Sequence, residues 1–154
     1  GNTVNGLGET EFRQPTHVYW SEPENIPHGG LQKFFFEQNP DNPAIVEARA
    51  NRDELTAADV VPVSGPPLQQ PAQQWSQQLA DYAGTIELEL FGITAFNPDW
   101  AFQGVALDYK WVIVIGVAHD YEKIKTAPED IAGAEVIRQY GMAKKASKDV
   151  ATWI

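Results

Sequence analysis

The longest apolar stretch of this 154-residue chain is Trp111-Val112-Ile113-Val114-Ile115-Gly116-Val117-Ala118. A stretch of this length is too short for a membrane-spanning helix, which needs about 20 apolar residues, but it suits a β-strand. Apolar residues occupy odd and even positions alike, so both faces of the strand are apolar. This pattern is typical of a strand that is covered on both sides. We therefore expect residues 111–118 to form the buried central strand of a small sheet flanked by helices.

Helical patterns lie on both sides of this strand. Apolar residues at steps of three and four predict an amphipathic helix before it and a longer helix after it. A second strand, Leu90–Phe96, follows the first helix. The fold class is therefore α+β or α/β, and residues 71–154 form the helix-strand-strand-helix portion of an incomplete α/β domain. The first helix is defined by Trp75, Leu79, Tyr82 and Ile86, and the second by Val136, Ile137, Tyr140, Ala143, Val150 and Ile154.

Residues 1–70 differ in composition from the rest of the chain, and we interpret them as an irregular, aromatic- and Pro-rich N-terminal segment. Three adjacent aromatic residues, Phe34-Phe35-Phe36, cannot share one face of a helix or strand. We expect them either to be buried on several sides or to rest against a partner. Residues 59–71 contain the breakers Ser64-Gly65-Pro66-Pro67, which predict a linker.

Composition argues against several classes of function. The chain has 11 Lys+Arg against 21 Asp+Glu, a net charge of −10. Nucleic acids and anionic membranes both require clustered basic residues, so neither is an expected partner. Because the chain has no Cys, it cannot form a cysteine-ligated zinc site or iron–sulfur cluster. Its three His lack the spacing of a zinc-binding helix, so we predict no metal site. The sequence contains no Gly-x-Ser-x-Gly nucleophile motif, and we predict no catalytic residue in this chain.

One candidate ligand site follows the predicted central strand directly, at His119-Asp120-Tyr121. In α/β sheets, ligands collect beyond the carboxyl ends of strands. An imidazole, a carboxylate and a phenol at that point can relay protons or hold the polar edge of a cofactor. The alternative is that these residues only cap and exit the strand.

Three features mark the last helix. Thr126-Ala127-Pro128-Glu129 predicts a capping box at its start. Gly141 lies in its middle, where glycine costs about 1 kcal/mol relative to Ala. Lys144, Lys145 and Lys148 fall on one side and are interpreted as a solvated basic face near the helix C-terminus. The alternative for these lysines is binding to a phosphate or a partner.

The motifs of the C-terminal half follow one another in a distinctive order. They are Leu90-Phe91-Gly92-Ile93-Thr94, Asn97-Pro98-Asp99-Trp100, Lys110–Val117, His119–Ile124 and Thr126-Ala127-Pro128. This order resembles the N-terminal part of corrinoid- and iron–sulfur-dependent reductive dehalogenases and, more distantly, of epoxyqueuosine reductases. The resemblance covers about residues 72–154 and, loosely, residues 34–71.

The resemblance implies part of a cobalamin-binding domain with a nitroreductase-like fold, in a cytoplasmic oxidoreductase that removes halide from an organohalide. It also implies a separate C-terminal cobalamin/ferredoxin-like portion with cysteine motifs for 4Fe–4S clusters, which would be the partner of this chain. The catalytic Tyr and its basic partner belong to that portion. The chain would then be an N-terminal fragment that is inactive alone and carries no cofactor by itself.

The resemblance also suggests roles by position. It implies cofactor binding for His119, Asp120 and Tyr121, and a substrate channel lined by Tyr19, Trp20, Phe34, Phe35 and Phe36. The alternative hypothesis is a stand-alone binding or assembly module. Such a module would form a homo-oligomer through the apolar N-terminal patch and the C-terminal helix, because large exposed apolar patches mark interfaces.

Overall fold

The computed structural model describes residues 11–17, 22–25, 29–30, 32–33 and 41–154. This part of the chain has a mixed α+β fold. Its main elements are α1 (Pro43–Ala57), α2 (Ala72–Ala83), β1 (Leu90–Ala95), β2 (Trp111–Gly116), α3 (Tyr121–Ile124) and α4 (Asp130–Trp153), with short 3₁₀ turns at Pro23–Asn25 and Pro98–Trp100. Over residues 71–154 the elements are α2, β1, β2, α3 and α4 in that order, so the predicted helix, two strands and helix are present with α3 added before the last helix.

The chain forms two compact units. One contains residues 1–38 and 94–112, and the other contains residues 39–93 and 113–154. In the first unit, the N–H of Gln103 donates to the carbonyl of Pro15 at 2.8 Å. The ring of His17 stacks on that of Phe102 with centroids 3.9 Å apart. These contacts attach residues 11–17 to the segment that connects the two strands.

The core of the second unit lies between α1 and α4. Ile45 and Ala48 of α1 are buried against Ile137, with Ala134 packed beside them. Asn42 is the N-cap of helix α1, and its side chain accepts hydrogen bonds from two N–H groups of the first turn. A side-chain cap of this kind stabilises a helix by about 1 kcal/mol. The apolar periodicity of α1 and α4 therefore produces one helix pair with an internal core.

Helix α2 covers the end of α4. Its glutamine side chains are exposed, while its aromatic face packs against α4, as the amphipathic pattern predicts. The ring of Trp153 stacks on Tyr82 with centroids 5.6 Å apart, and its edge meets Trp75 at 6.2 Å. The apolar end of α4 is therefore partly covered within the same chain, although Ile154 is 69% exposed.

The start of α4 differs from the predicted capping box. Glu129 occupies the N-cap position and makes no side-chain hydrogen bond there. The hydroxyl of Thr126 donates instead to the carbonyl of Lys123 at 2.8 Å, where α3 ends. The predicted capping box is wrong because this hydroxyl donates to the end of the preceding helix and not to the first turn of α4.

Strands β1 and β2 pair antiparallel in a two-stranded sheet. The N–H of Phe96 donates to the carbonyl of Lys110 at 3.0 Å, and the N–H of Glu89 donates to that of Gly116 at 2.9 Å. The second strand therefore ends at Gly116, before the predicted limit at residue 118.

The predicted burial of this strand is wrong. Trp111 is 67% exposed and Val114 is 52% exposed, while Leu90 on the neighbouring strand is 71% exposed. A strand is buried on both faces only where other elements cover both faces. Within the described ranges, β2 has one strand neighbour at its edge and no third strand beyond it. Its residues are exposed or half-buried, so it is not a buried central strand.

Candidate functional site

The predicted ligand site lies where the chain leaves β2 and enters α3. Asp120 is the N-cap of α3, since its carboxylate accepts from the N–H of Glu122 at 2.9 Å. The same carboxylate lies 3.6 Å from the ammonium of Lys123. Its backbone carbonyl accepts from the N–H groups of Lys123 and Ile124, at 3.2 and 2.9 Å. Asp120 therefore caps α3, as one of the two hypotheses for this motif predicts.

The two rings that flank Asp120 are open to solvent. His119 is exposed, and Tyr121 is 73% exposed. The ammonium of Lys125 lies 5.8 Å from the centre of the Tyr121 ring. An exposed cation–π contact of this kind is worth about 0.5–1 kcal/mol. Both rings therefore remain available to a ligand at the exit of β2.

Beneath this exit lies a buried carboxylate that the sequence analysis did not identify. Glu135 of α4 is 2% exposed. Its Oε1 accepts from the backbone N–H of Asp120 at 2.8 Å and from the amide of Gln139 at 2.8 Å. Arg138 donates through Nε to Oε2 at 3.0 Å and through Nη2 to Oε1 at 3.2 Å. The ammonium of Lys123 lies 3.7 Å from Oε2. One buried group therefore connects the strand exit to α4.

These contacts determine the charge state of Glu135. Burial by itself raises the pKa of its carboxyl group, but hydrogen bonds from Arg138, the Asp120 backbone and Gln139 lower that pKa more. The net effect lowers the pKa of Glu135 from 4.5 to about 2. The pKa of Arg138 is raised in return, mainly by its hydrogen bond to Glu135. The buried charge is thus paired and hydrogen-bonded, which is the condition under which proteins tolerate one.

The sequence does contain a signal for this cluster. Glu135, Arg138 and Gln139 have the i, i+3, i+4 spacing of side chains that meet on one helix face. Glu135 also precedes the apolar pair Val136-Ile137, so a charged residue lies at the edge of the face that packs inward. The donor from Asp120 is 15 residues away along the chain and has no such local signal.

A small open cavity adjoins the cluster in the second unit. It has a volume of about 330 Å³. Residues 86–89 and Val117-Ala118 form its sides, and Arg138, Gln139 and Met142 line it from α4. A corrinoid macrocycle is much larger than this space. The described residues therefore fit a corrinoid only as one wall of its site, through groups that are exposed at the strand exit.

The side chains at the strand exit differ in what they can offer such a cofactor. His119 and Tyr121 are exposed residues that carry hydrogen-bonding groups, and such groups suit the amides on the edge of a corrinoid. The carboxylate of Asp120 is already occupied by α3 and by Lys123. Iron–sulfur clusters do not fit these residues, because the chain has no Cys. In the part of the chain that the structure describes, no group of three or more His, Asp or Glu is placed to hold a metal ion.

The proposed substrate-channel residues cannot be placed. Tyr19, Trp20, Phe34, Phe35 and Phe36 lie outside the described residues. Their role as channel residues stays a prediction.

The lysines of α4 do not form one solvated face. Lys148 donates to the backbone carbonyls of Thr56 and Ala58, at 2.7 and 2.6 Å. Lys145 lies 2.6 Å from the carboxylate of Asp149, and Lys144 is exposed. The predicted basic face is wrong for Lys148, because its ammonium binds the C-terminal end of α1.

Neither the family models, the curated proteins nor the solved structures that were compared with this chain contain a match. None of the helices among the described residues is both long and apolar enough to cross a bilayer. The resemblance to reductive dehalogenases therefore stays a prediction based on motif order.

Proposed function

We propose that this chain is the N-terminal part of a cobalamin- and 4Fe–4S-dependent oxidoreductase of the reductive dehalogenase type, and that it is inactive alone. In this proposal the chain supplies scaffold and one wall of the corrinoid site, and a C-terminal cobalamin/ferredoxin-like portion supplies the cluster ligands and catalytic groups. The nitroreductase-like fold and the cytoplasmic location that the resemblance implies belong to the same proposal. The order of motifs over residues 72–154 supports it.

The observation that carries the proposal is the exposed apolar sheet. A two-stranded sheet alone is marginally stable in water. In this one Trp111 and Val114 are more than half exposed, although the pattern of β2 is that of a strand with cover on both faces. Burial of apolar surface is worth about 25 cal/mol per Å². The sheet therefore suits incorporation into a larger sheet that the partner portion completes.

The strand exit is the proposed point of contact with the corrinoid. His119 and Tyr121 are exposed on a backbone that is held at Asp120, and their polar atoms suit the amide edge of that cofactor. When bound, the corrinoid supplies the reactive centre, and the protein binds and orients it. In this role His119 and Tyr121 are binding residues, and Asp120 maintains the local fold.

The first test is genetic. The reading frame that contains these codons is expected to encode, after Ile154, cysteine motifs for two 4Fe–4S clusters. A stop codon directly after Ile154 would overturn the proposal.

The second test is biochemical. Anaerobic reconstitution of the 154-residue chain with cobalamin, iron and sulfide is expected to give no dehalogenation. Turnover by this chain alone would contradict the scaffold role. In the protein that includes the cysteine motifs, a combined His119→Ala and Tyr121→Phe variant should bind cobalamin more weakly. Glu122→Gln, at an exposed position on α3, is the matched control and should leave the affinity unchanged.

A stand-alone assembly module is the second candidate function, since the exposed side chains of β2 favour an interface of any kind. The proposed contact through the C-terminal helix has less apolar surface available, because Trp153 already packs on Tyr82. The N-terminal patch at Phe34–Phe36 lies outside the described residues. Light scattering after size-exclusion chromatography distinguishes the two functions. A tight, well-folded homodimer supports the module.

A further inference from the structure

We infer that Glu135 is a positioning residue for the strand-exit site: its buried carboxylate fixes the backbone from which His119 and Tyr121 project. The identity of the ligand at that site rests on the proposed function. The geometric part of the inference rests only on the hydrogen bonds of the described residues, so the two parts are tested separately.

The backbone at Asp120 is held on both sides. Its N–H donates to Glu135 at 2.8 Å, and its carbonyl accepts from Lys123 and Ile124 in the first turn of α3. Its carboxylate caps the N–H of Glu122. Each polar group of Asp120 therefore has a partner, and the partner of the N–H is a side chain of the long helix α4.

A buried carboxylate at Glu135 is not needed for the stability of α4. Burial of an ion costs several kcal/mol, and a well-packed apolar residue in its place is often as stable or more so. A carboxylate differs from an apolar side chain because it can accept several hydrogen bonds at once. Glu135 accepts from Arg138 and Gln139 within α4 and still accepts from Asp120 across the site.

The two rings that flank the fixed Asp120 backbone are exposed, so this backbone can present them to a ligand. His119 and Tyr121 are exposed, while the residue between them is fixed to a group that is 2% exposed. Side chains that project from a fixed backbone lose less entropy on binding than those of a mobile loop. Binding sites accordingly depend on supporting residues that hold the contacting ones in place.

The test uses nuclear magnetic resonance on the full 154-residue chain, with Glu135→Gln as the main variant. Gln has nearly the same size, but its amide group presents a donor to the guanidinium of Arg138. We expect hydrogen exchange at the Asp120 amide to accelerate by about tenfold, because a neutral amide oxygen is a weaker acceptor for this N–H than the carboxylate. The amide signals of His119 and Tyr121 should shift as well.

Lys148→Met is the control, because Lys148 binds α1 and has no hydrogen bond to the strand exit. When the proteins are compared under conditions that give them the same free energy of unfolding, this variant should leave hydrogen exchange at Asp120 unchanged. Unchanged exchange in Glu135→Gln, or an equal acceleration in Lys148→Met, would overturn the inference.

A measurement on the unaltered chain keeps the inference testable if the Glu135 variant does not fold. A scalar coupling across the hydrogen bond is expected between the amide nitrogen of Asp120 and the carboxyl carbon of Glu135. Failure to detect it, in a sample where backbone couplings within α4 are detected, would refute the positioning contact.

Cobalamin affinity tests the functional part, in the protein that includes the cysteine motifs. Glu135→Gln should weaken cobalamin binding by about tenfold, which corresponds to 1.4 kcal/mol, while Glu122→Gln should leave it unchanged. Faster exchange at Asp120 with unaltered affinity would overturn the positioning role toward a corrinoid. If the combined variant of His119 and Tyr121 also bound cobalamin normally, the proposed corrinoid site itself would fail.

Discussion

Gly141 of α4 lies directly against the backbone of Arg52 in α1. A β-carbon on Gly141 would be 3.0 Å from the Cα of Arg52 and 3.3 Å from its Cβ and Cγ. Gly141 is buried at this point. A glycine in the middle of a helix predicts a weak point, but the absence of a side chain at Gly141 allows the two helices to approach closely.

Gly141→Ala is therefore expected to destabilise the protein. Helix propensity alone predicts a gain of about 1 kcal/mol. The added methyl group would meet the Cα of Arg52 and the first two carbons of its side chain. Overpacking of this kind costs about 1–3 kcal/mol. Urea denaturation followed by circular dichroism would measure the free energy of unfolding.

Gly133→Ala is the matched control for this experiment. Its added β-carbon would lie 3.2 Å from Cδ1 of Ile45, which is the far end of a side chain and not a backbone atom. The control should lose less stability than Gly141→Ala. A Gly141→Ala protein that is more stable than the unaltered chain by the full helix-propensity gain of about 1 kcal/mol would contradict the close helix contact.

Lys148→Met is expected to destabilise α1 even though Lys148 belongs to α4. Its ammonium donates to two carbonyls at the C-terminal end of α1, at 2.7 and 2.6 Å. Such hydrogen bonds satisfy carbonyls that the helix itself leaves unpaired. The loss should be about 1–2 kcal/mol, while the exposed neighbour Lys144→Met should change stability by less than about 0.5 kcal/mol. Thermal denaturation of both variants checks this, and equal midpoints would disprove the capping role.

Local periodicity was enough to predict most of the secondary structure. The predicted helix around Trp75 and Leu79 corresponds to α2, and the two apolar stretches correspond to β1 and β2. The longest pattern, from Val136 to Ile154, corresponds to α4. These predictions succeed because the pattern of apolar residues along a segment is a property of that segment alone.

The errors concern properties that depend on distant segments. The pattern of β2 describes its two faces but does not identify what covers Trp111, which is largely exposed. The role of Gly141 depends on Arg52, and that of Lys148 depends on the end of α1. At the strand exit, the motif was identified from the sequence but its anchor, Glu135, was not, because the hydrogen bond joins two separate segments.

Glu135 should make the free energy of unfolding depend on pH, in the range between its folded and its ordinary pKa. Its pKa is about 2 in the folded state and 4.5 as its ordinary value. A group with a lowered folded pKa adds stability that is complete above the unfolded pKa and is lost as pH falls toward the folded one. The difference of roughly two to three pKa units corresponds to about 3 kcal/mol.

The measurement is the free energy of unfolding between pH 7 and pH 2, for the unaltered chain and for Glu135→Gln. The stability difference between the two proteins should be constant above about pH 5.5 and should shrink by about 3 kcal/mol as pH falls from 4.5 to 2. Glu122→Gln, on exposed α3, provides the comparison for general acid effects. A difference that is independent of pH would show that Glu135 is not ionised and paired in the folded state.

The exposed sheet should make the purified chain associate with itself. Trp111 and Val114 present apolar surface on β2, and contact between copies removes that surface from water. The apparent mass from light scattering is expected to rise with protein concentration. The double variant Trp111→Ser, Val114→Ser should reduce this rise.

Leu68→Ser is the control for that experiment, since Leu68 is 76% exposed but lies in the segment before α2. If the sheet is the surface responsible, the control should associate like the unaltered chain. A rise in mass without a defined stoichiometry supports the fragment function. An apolar sheet that lacks its partner portion would make undirected contacts between copies. A single dimeric mass at all concentrations, abolished by the double variant, would favour the assembly module. A monomer at every concentration would contradict this prediction and the assembly module, because that module requires copies of the chain to cover this surface.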